Sequence, residues 1–177
     1  MNSLSGKMDL AEIRKIKDIA KSALKEELAI PKSLAILAYV HIEDAEAREF
    51  VLAGLSAIGI GNVVVGESSG DTRRYAGYKP QITANELYGF DCVIYDGESD
   101  GLDLAACMRA WVVPITSDRS VFAGVLSDFN PMKFEGNGFF FRSNNPYCIF
   151  EKIVSYCENI KFPEDRRILL KHVTETF

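Results

Sequence analysis

The stretch Asp91–Thr116, DCVIYDGESDGLDLAACMRAWVVPIT, carries the reading of the fold. DCVIYD (91–96) is a short apolar run closed by a Gly-containing loop, and it reads as a strand buried on both faces. GLDLAACMRA (101–110) follows as an apolar helix, and WVVPIT (111–116) is a second buried strand. Strand, helix and strand in that order form a βαβ unit, which requires a parallel sheet with helices on its faces. The loop GESDG (97–101) then falls at the carboxyl end of a strand, where such sheets bind their ligands. The N–H groups of Gly101 and Leu102 open the helix, and Gly101 allows close approach of a phosphate. Yet Asp96, Glu98, Asp100 and Asp103 crowd the position that phosphate would take.

Working outward, the same alternation recurs. Residues 8–28 place Leu10, Ile13, Ile16, Ile19, Ala20 and Leu24 at helical spacing, which predicts an amphipathic helix with a charged outer face, ended by Pro31. SLAILAYV (33–40) and NVVVG (62–66) read as buried strands, flanking a helix over 43–59 that Gly59 stops. ESSGDTRRYAGYKP (67–80) reads as a loop, and ITANELYG (82–89) as a short helix with Thr83 as N-cap. SDRSVFAGVLSD (117–128) reads as another short helix, capped at Ser117 or Asp118. GNGFFF (136–141) is a glycine-led strand, 146–160 a helix with Pro146 in its first turn, and 162–177 a Pro-started helix. The expectation is one doubly wound α/β domain with a mostly parallel, Rossmann-like sheet.

Composition narrows the function classes. The 177 residues fit one domain, with 47% hydrophobic and 25% charged residues, as in ordinary soluble globular proteins. A net charge of -5 and the lack of a basic stripe argue against nucleic acid. No apolar run approaches the ~20 residues of a membrane helix, and the start MNSLSGKMDLAEIRK lacks a signal peptide's apolar core. Cys92, Cys107, Cys148 and Cys157 show no CxxC spacing and read as free thiols in a reducing cytoplasm. His41 and His172 are the only histidines, too few for a His-rich metal site, and neither GxGxxG nor GxxxxGKS is present. No metal and no tightly held cofactor are expected.

The order ESDGLDLAACMRAWVVPI, a spacer, then GNGFFF resembles the second half of retaining glycosyltransferases of the GT-B fold, closest to glycogen and starch synthases. KSALKEELAIP and GYKPQITANELYGFDCVIY resemble further segments of the same lobe, so the similarity spans about residues 15–160. The resemblance implies a Rossmann-like lobe that binds a nucleotide sugar such as ADP-glucose or UDP-glucose, without the N-terminal lobe that carries acceptor contacts. It places Glu98 near the transferred sugar. It places Asp100, Gly101 and Leu102 around the distal phosphate, counts Ser99 among the nucleotide-sugar-binding residues, and sets Tyr78 against the nucleotide base. The departures are equally specific. Where the family has an Arg and a Lys after the first strand, this chain has Ile42, Glu43 and Asp44, with Arg48 further on read as a solvated helix residue. The position of a ribose-holding glutamate is Ala106, and a glycine-bearing donor loop is replaced by RSVF (119–122).

Magnitudes decide between a working anion site and the shell of one. A carboxylate ~4 Å from a phosphate charge costs on the order of 4 kcal/mol at an effective dielectric of ~20. Each lost Arg or Lys contact removes roughly 1.5–3 kcal/mol, and a helix terminus returns only ~0.3–1 kcal/mol. Asp100 and Asp103 have a structural use at the helix start, so the shell reading is favoured. Three function classes follow: a non-catalytic binding or regulatory module, a donor-binding subunit of a two-chain transferase, and an unrelated flavodoxin-like α/β module. In the second, Arg73, Arg74 or Lys79 replaces the lost cations. The first helix and the C-terminal segment, with Ile168, Leu169, Val173 and Phe177, carry apolar faces that predict packing on the domain or self-association.

Overall fold

The computed structural model describes residues 10–66, 75–97 and 101–177. The elements run α1 (Leu10–Glu27), β1 (Leu37–His41), α2 (Ala45–Ala57), β2 (Gly61–Val65), β3 (Ala76–Lys79), α3 (Ala84–Leu87) and β4 (Cys92–Tyr95). They continue with α4 (Leu104–Arg109), β5 (Val113–Ser117), β6 (Phe139–Phe141), α5 (Pro146–Ile160) and α6 (Pro163–Glu175). The six strands form one sheet in the order β3-β2-β1-β4-β5-β6, and all five pairings are parallel. Chain direction across the sheet reverses between β1 and β4, which gives the doubly wound arrangement.

The central strands explain why this alternation folds. Leu37, Val40, Val63, Val93, Ile94 and Ile115 are fully buried, as a sheet covered on both faces requires. Helix α2 lays Val51, Leu52 and Leu55 on the sheet, and α5 does so with Ile149 and Ile153. Thr83 caps α3 as expected and completes a capping box with Glu86. The C-terminal helix folds back on its own domain, with Leu169 and Val173 fully buried. Ile168 is partly covered, and Phe177 remains 46% exposed against the edge of Phe122.

Four expectations change. The segment 67–80 is not all loop, because 76–79 pair with β2 as an edge strand whose Lys79 bridges Glu27 and Glu86 at 2.6 Å. Residues 118–125 form turns rather than a helix, since Ser117 completes β5 and the chain must then reach back toward β6. The first strand starts at Leu37 rather than at 33, because Leu34 N–H donates to Pro31 O in a turn. Finally, the charged stripe Lys17, Lys21, Lys25 of α1 points inward. Lys17 and Lys25 are only 8% and 5% exposed. Lys17 Nζ donates to Phe90 O at 2.6 Å and Trp111 O at 3.2 Å, Lys21 Nζ to Ala35 O at 3.2 Å, and Lys25 Nζ to Leu34 O. Spaced four apart, the three ammoniums bind carbonyls at the amino edge of the sheet, which an i, i+4 pattern of charges normally leaves to solvent.

Candidate functional site: the carboxyl edge between β1 and β4

Chain reversal at β1 and β4 opens a crevice at their carboxyl ends, and the residues that follow each strand line it. Asp96 closes β4 at 3% exposure, and its Oδ2 accepts the Glu43 N–H at 2.6 Å. One of the backbone donors at the end of β1 is therefore held by a carboxylate of the chain itself. Gly97 stands at φ +84°, and a side chain there would meet Ser117 and Ser120 Cβ at 3.0 Å. The end of β5 thus packs directly under this loop. Gly101 stands at φ +91° with open space around it, as a position for close approach requires.

The helix starts are occupied from within. Asp103 caps α4, accepting the Ala106 N–H at 2.8 Å, and Asp44 caps α2, accepting the Ala47 N–H at 2.7 Å. Leu102 packs against the core. Arg48 is not the solvated residue that the sequence suggests: its Nη1 donates to Ile42 O at 2.9 Å and Glu43 O at 3.2 Å. The guanidinium folds back because those carbonyls leave the end of β1 without helical partners.

A cavity of about 480 Å³ lies between the starts of α2 and α5, lined by Asp44, Glu46, Ser117, Arg119, Ser143 and Asn144. Arg119 was overlooked in the sequence because it stands in the loop read as a short helix. The signal available was its place just beyond the end of a strand. Its one cation faces two carboxylates, so the lining carries a net negative charge.

Of the residues that the resemblance singled out, Gly101 and Leu102 precede α4 instead of opening it, because Asp103 takes the N-cap and the helix begins at Leu104. Tyr78 does not join them, because it stands on edge strand β3 opposite Val64, with β2 and β1 between it and β4. Glu98, Ser99, Asp100, Arg73 and Arg74 lie outside the described residues.

A parallel sheet of this order with its crevice at the strand ends defines a Rossmann-like α/β domain. Among solved structures, the catalytic domain of starch synthase IV from Arabidopsis thaliana, bound to ADP and acarbose, matches 97% of this chain. Its TM-score is 0.70 at 14% identity, and 41% of that chain is covered. Sucrose-phosphate synthase from Thermosynechococcus elongatus matches 88% of this chain with a TM-score of 0.57 at 17% identity, over 43% of its own length. The chain has the fold of a lobe of GT-B glycosyltransferases and spans less than half the length of these neighbours. No family model and no curated protein sequence matches it. Among the described residues, no helix is long and apolar enough to cross a membrane.

Proposed function

We propose that this chain is a relative of the glycogen- and starch-synthase-like donor lobe that transfers no sugar by itself and works as a binding or regulatory module. The internal use of the crevice's donors carries this reading. Asp96 holds the Glu43 amide, Asp44 and Asp103 hold helix-start amides, and Arg48 is turned onto backbone carbonyls. A nucleotide diphosphate would have to displace these contacts while facing the carboxylates that make them. That costs on the order of 4 kcal/mol per close pair at an effective dielectric of ~20.

Thermal melting with ADP, UDP, GDP, ADP-glucose and UDP-glucose at millimolar concentration, with and without Mg²⁺, tests it. The expected result is no selective shift, together with no glucosyl transfer by the isolated chain. A ligand at ~100 times its Kd would add about 2.7 kcal/mol, several degrees in a domain of this size. A selective shift would instead support a donor-binding subunit that meets its acceptor lobe on another polypeptide. The open approach at Gly101 favours that alternative, and in it the Arg73→Ala plus Arg74→Ala variant would lose the shift.

A further inference from the structure

A second, mainly apolar cavity lies at the opposite, amino edge of the sheet and belongs to no part of the crevice between β1 and β4. It encloses about 540 Å³, in the range of small-molecule sites, with Ile36, Ile60, Trp111, Val113, Val154 and Leu170 among its walls. Ile58 and Val154, at its mouth, are 45% and 38% exposed.

Three observations give this cavity a chemistry. The first is charge. Asp91 is satisfied by Lys21 at 2.7 Å and by the Leu37 N–H at 2.8 Å, and Glu158 pairs with Lys161 at 2.6 Å. Lys17 and Arg166 remain as cations without a carboxylate bound to them, since Lys17 bonds only carbonyl oxygens and Arg166 has no ion pair among the described residues. Burial lowers the Lys17 ammonium to about 8, against the pull of Asp91, so it stays largely charged at neutral pH. The second is Tyr156, which lines the cavity at 2% exposure with no hydrogen-bond partner for its hydroxyl among the described residues. Burial raises its pKa well above the usual phenol value, so the hydroxyl is a donor.

The third is Trp111, the only tryptophan in the chain. It stands at φ +63°, directly after α4, with its N–H donating to Met108 O at 3.0 Å while Val112 N–H donates to Cys107 O at 3.1 Å. Helices that end this way place glycine at that position, and a bulky residue there is strained. The strain sets an indole on the cavity wall where glycine would leave none.

We propose that this cavity binds a small organic anion, a carboxylate carried on an apolar body, with Arg166 pairing the carboxylate, the Tyr156 hydroxyl donating to it, and Trp111 covering the apolar part. An apolar wall favours burial of the hydrocarbon, while the surplus cation and the unmet phenol select the head group.

Octanoate, kept below its micellar range, is the probe, and Trp111 emission in the full chain is the readout, with 1-octanol and octylamine as neutral and cationic controls. Octanoate is expected to change the emission saturably, and both controls to bind at least about tenfold more weakly, the worth of a charge-assisted bond. Arg166→Gln, at an exposed position, should weaken octanoate by about two- to fivefold, and Tyr156→Phe by about three- to tenfold. Val154→Glu, which sets a carboxylate at the mouth on a partly exposed position, should abolish the response. Equal binding of octanol or octylamine overturns the proposal, as does an unchanged affinity in Arg166→Gln. So does the absence of any octanoate response in wild-type protein with a normal melt.

Discussion

Gly136→Ala is expected to lower stability by about 4 kcal/mol, combining a left-handed backbone penalty of roughly 1–2 kcal/mol with overpacking of roughly 1–3 kcal/mol. Gly136 stands at φ +96°, and a Cβ there would lie 2.2 Å from Asp128 O and 2.6 Å from Phe129 Cα. Both obstacles are backbone, so no rotamer change relieves them. The backbone cannot withdraw either, because it is held on both sides. Phe129 N–H donates to Gly138 O at 2.8 Å, Asn137 N–H to Ser127 O at 3.1 Å, and His172 Nδ1 lies 3.0 Å from Gly136 O. Urea denaturation would read the loss as a fall of about 2 M in midpoint at an unchanged slope of roughly 2 kcal/mol/M. A loss under about 1 kcal/mol would show that the 127–130 segment yields to the added methyl group.

Asp91→Leu should cost about 3–5 kcal/mol, since it breaks a buried ion pair from one side only. Asp91 is 9% exposed, and it serves both the Leu37 N–H at the start of β1 and Lys21 on α1. Its removal strands Lys21 beside two other inward ammoniums, Lys17 and Lys25, which have no other carboxylate paired with them among the described residues. Asp91→Asn should cost less, because an amide oxygen still accepts from Leu37. The double change Asp91→Leu with Lys21→Met should recover part of the loss, because replacing both partners removes the uncompensated charge. Chemical denaturation of the wild type, Asp91→Leu, Lys21→Met and the double variant gives the coupling energy. Strict additivity of the two single changes would mean that Asp91 acts through Leu37 alone.

The helix–strand alternation was legible because buried parallel strands are continuous apolar runs, and LAYVH, GNVVV, CVIY and VPITS all read that way. Strand β3 was hidden in AGYK, which carries neither alternation nor an apolar run. An edge strand is defined by the neighbour that pairs with it, here Val63 and Val64. The lysine stripe of α1 was misplaced for a related reason. Periodicity locates a face, but it cannot say that carbonyl groups of distant segments such as Phe90 and Trp111 converge on that face. In the crevice, the excess of carboxylates was legible residue by residue. That Asp44 and Asp103 cap their helices, and that Asp96 reaches across to Glu43, required the strands side by side.

By itself, the sequence determined the fold class and the acidic character of the carboxyl edge, because hydrophobic runs, glycine positions and charge counts are local properties. The tertiary structure alone decided which charges meet. Asp91 and Lys21 stand 70 residues apart and Asp96 and Glu43 53 apart. The cavity joining Lys17, Trp111, Tyr156 and Arg166 draws on α1, the turn after α4, α5 and α6. Such encounters depend on crossover direction and strand order, and no short window of residues encodes either.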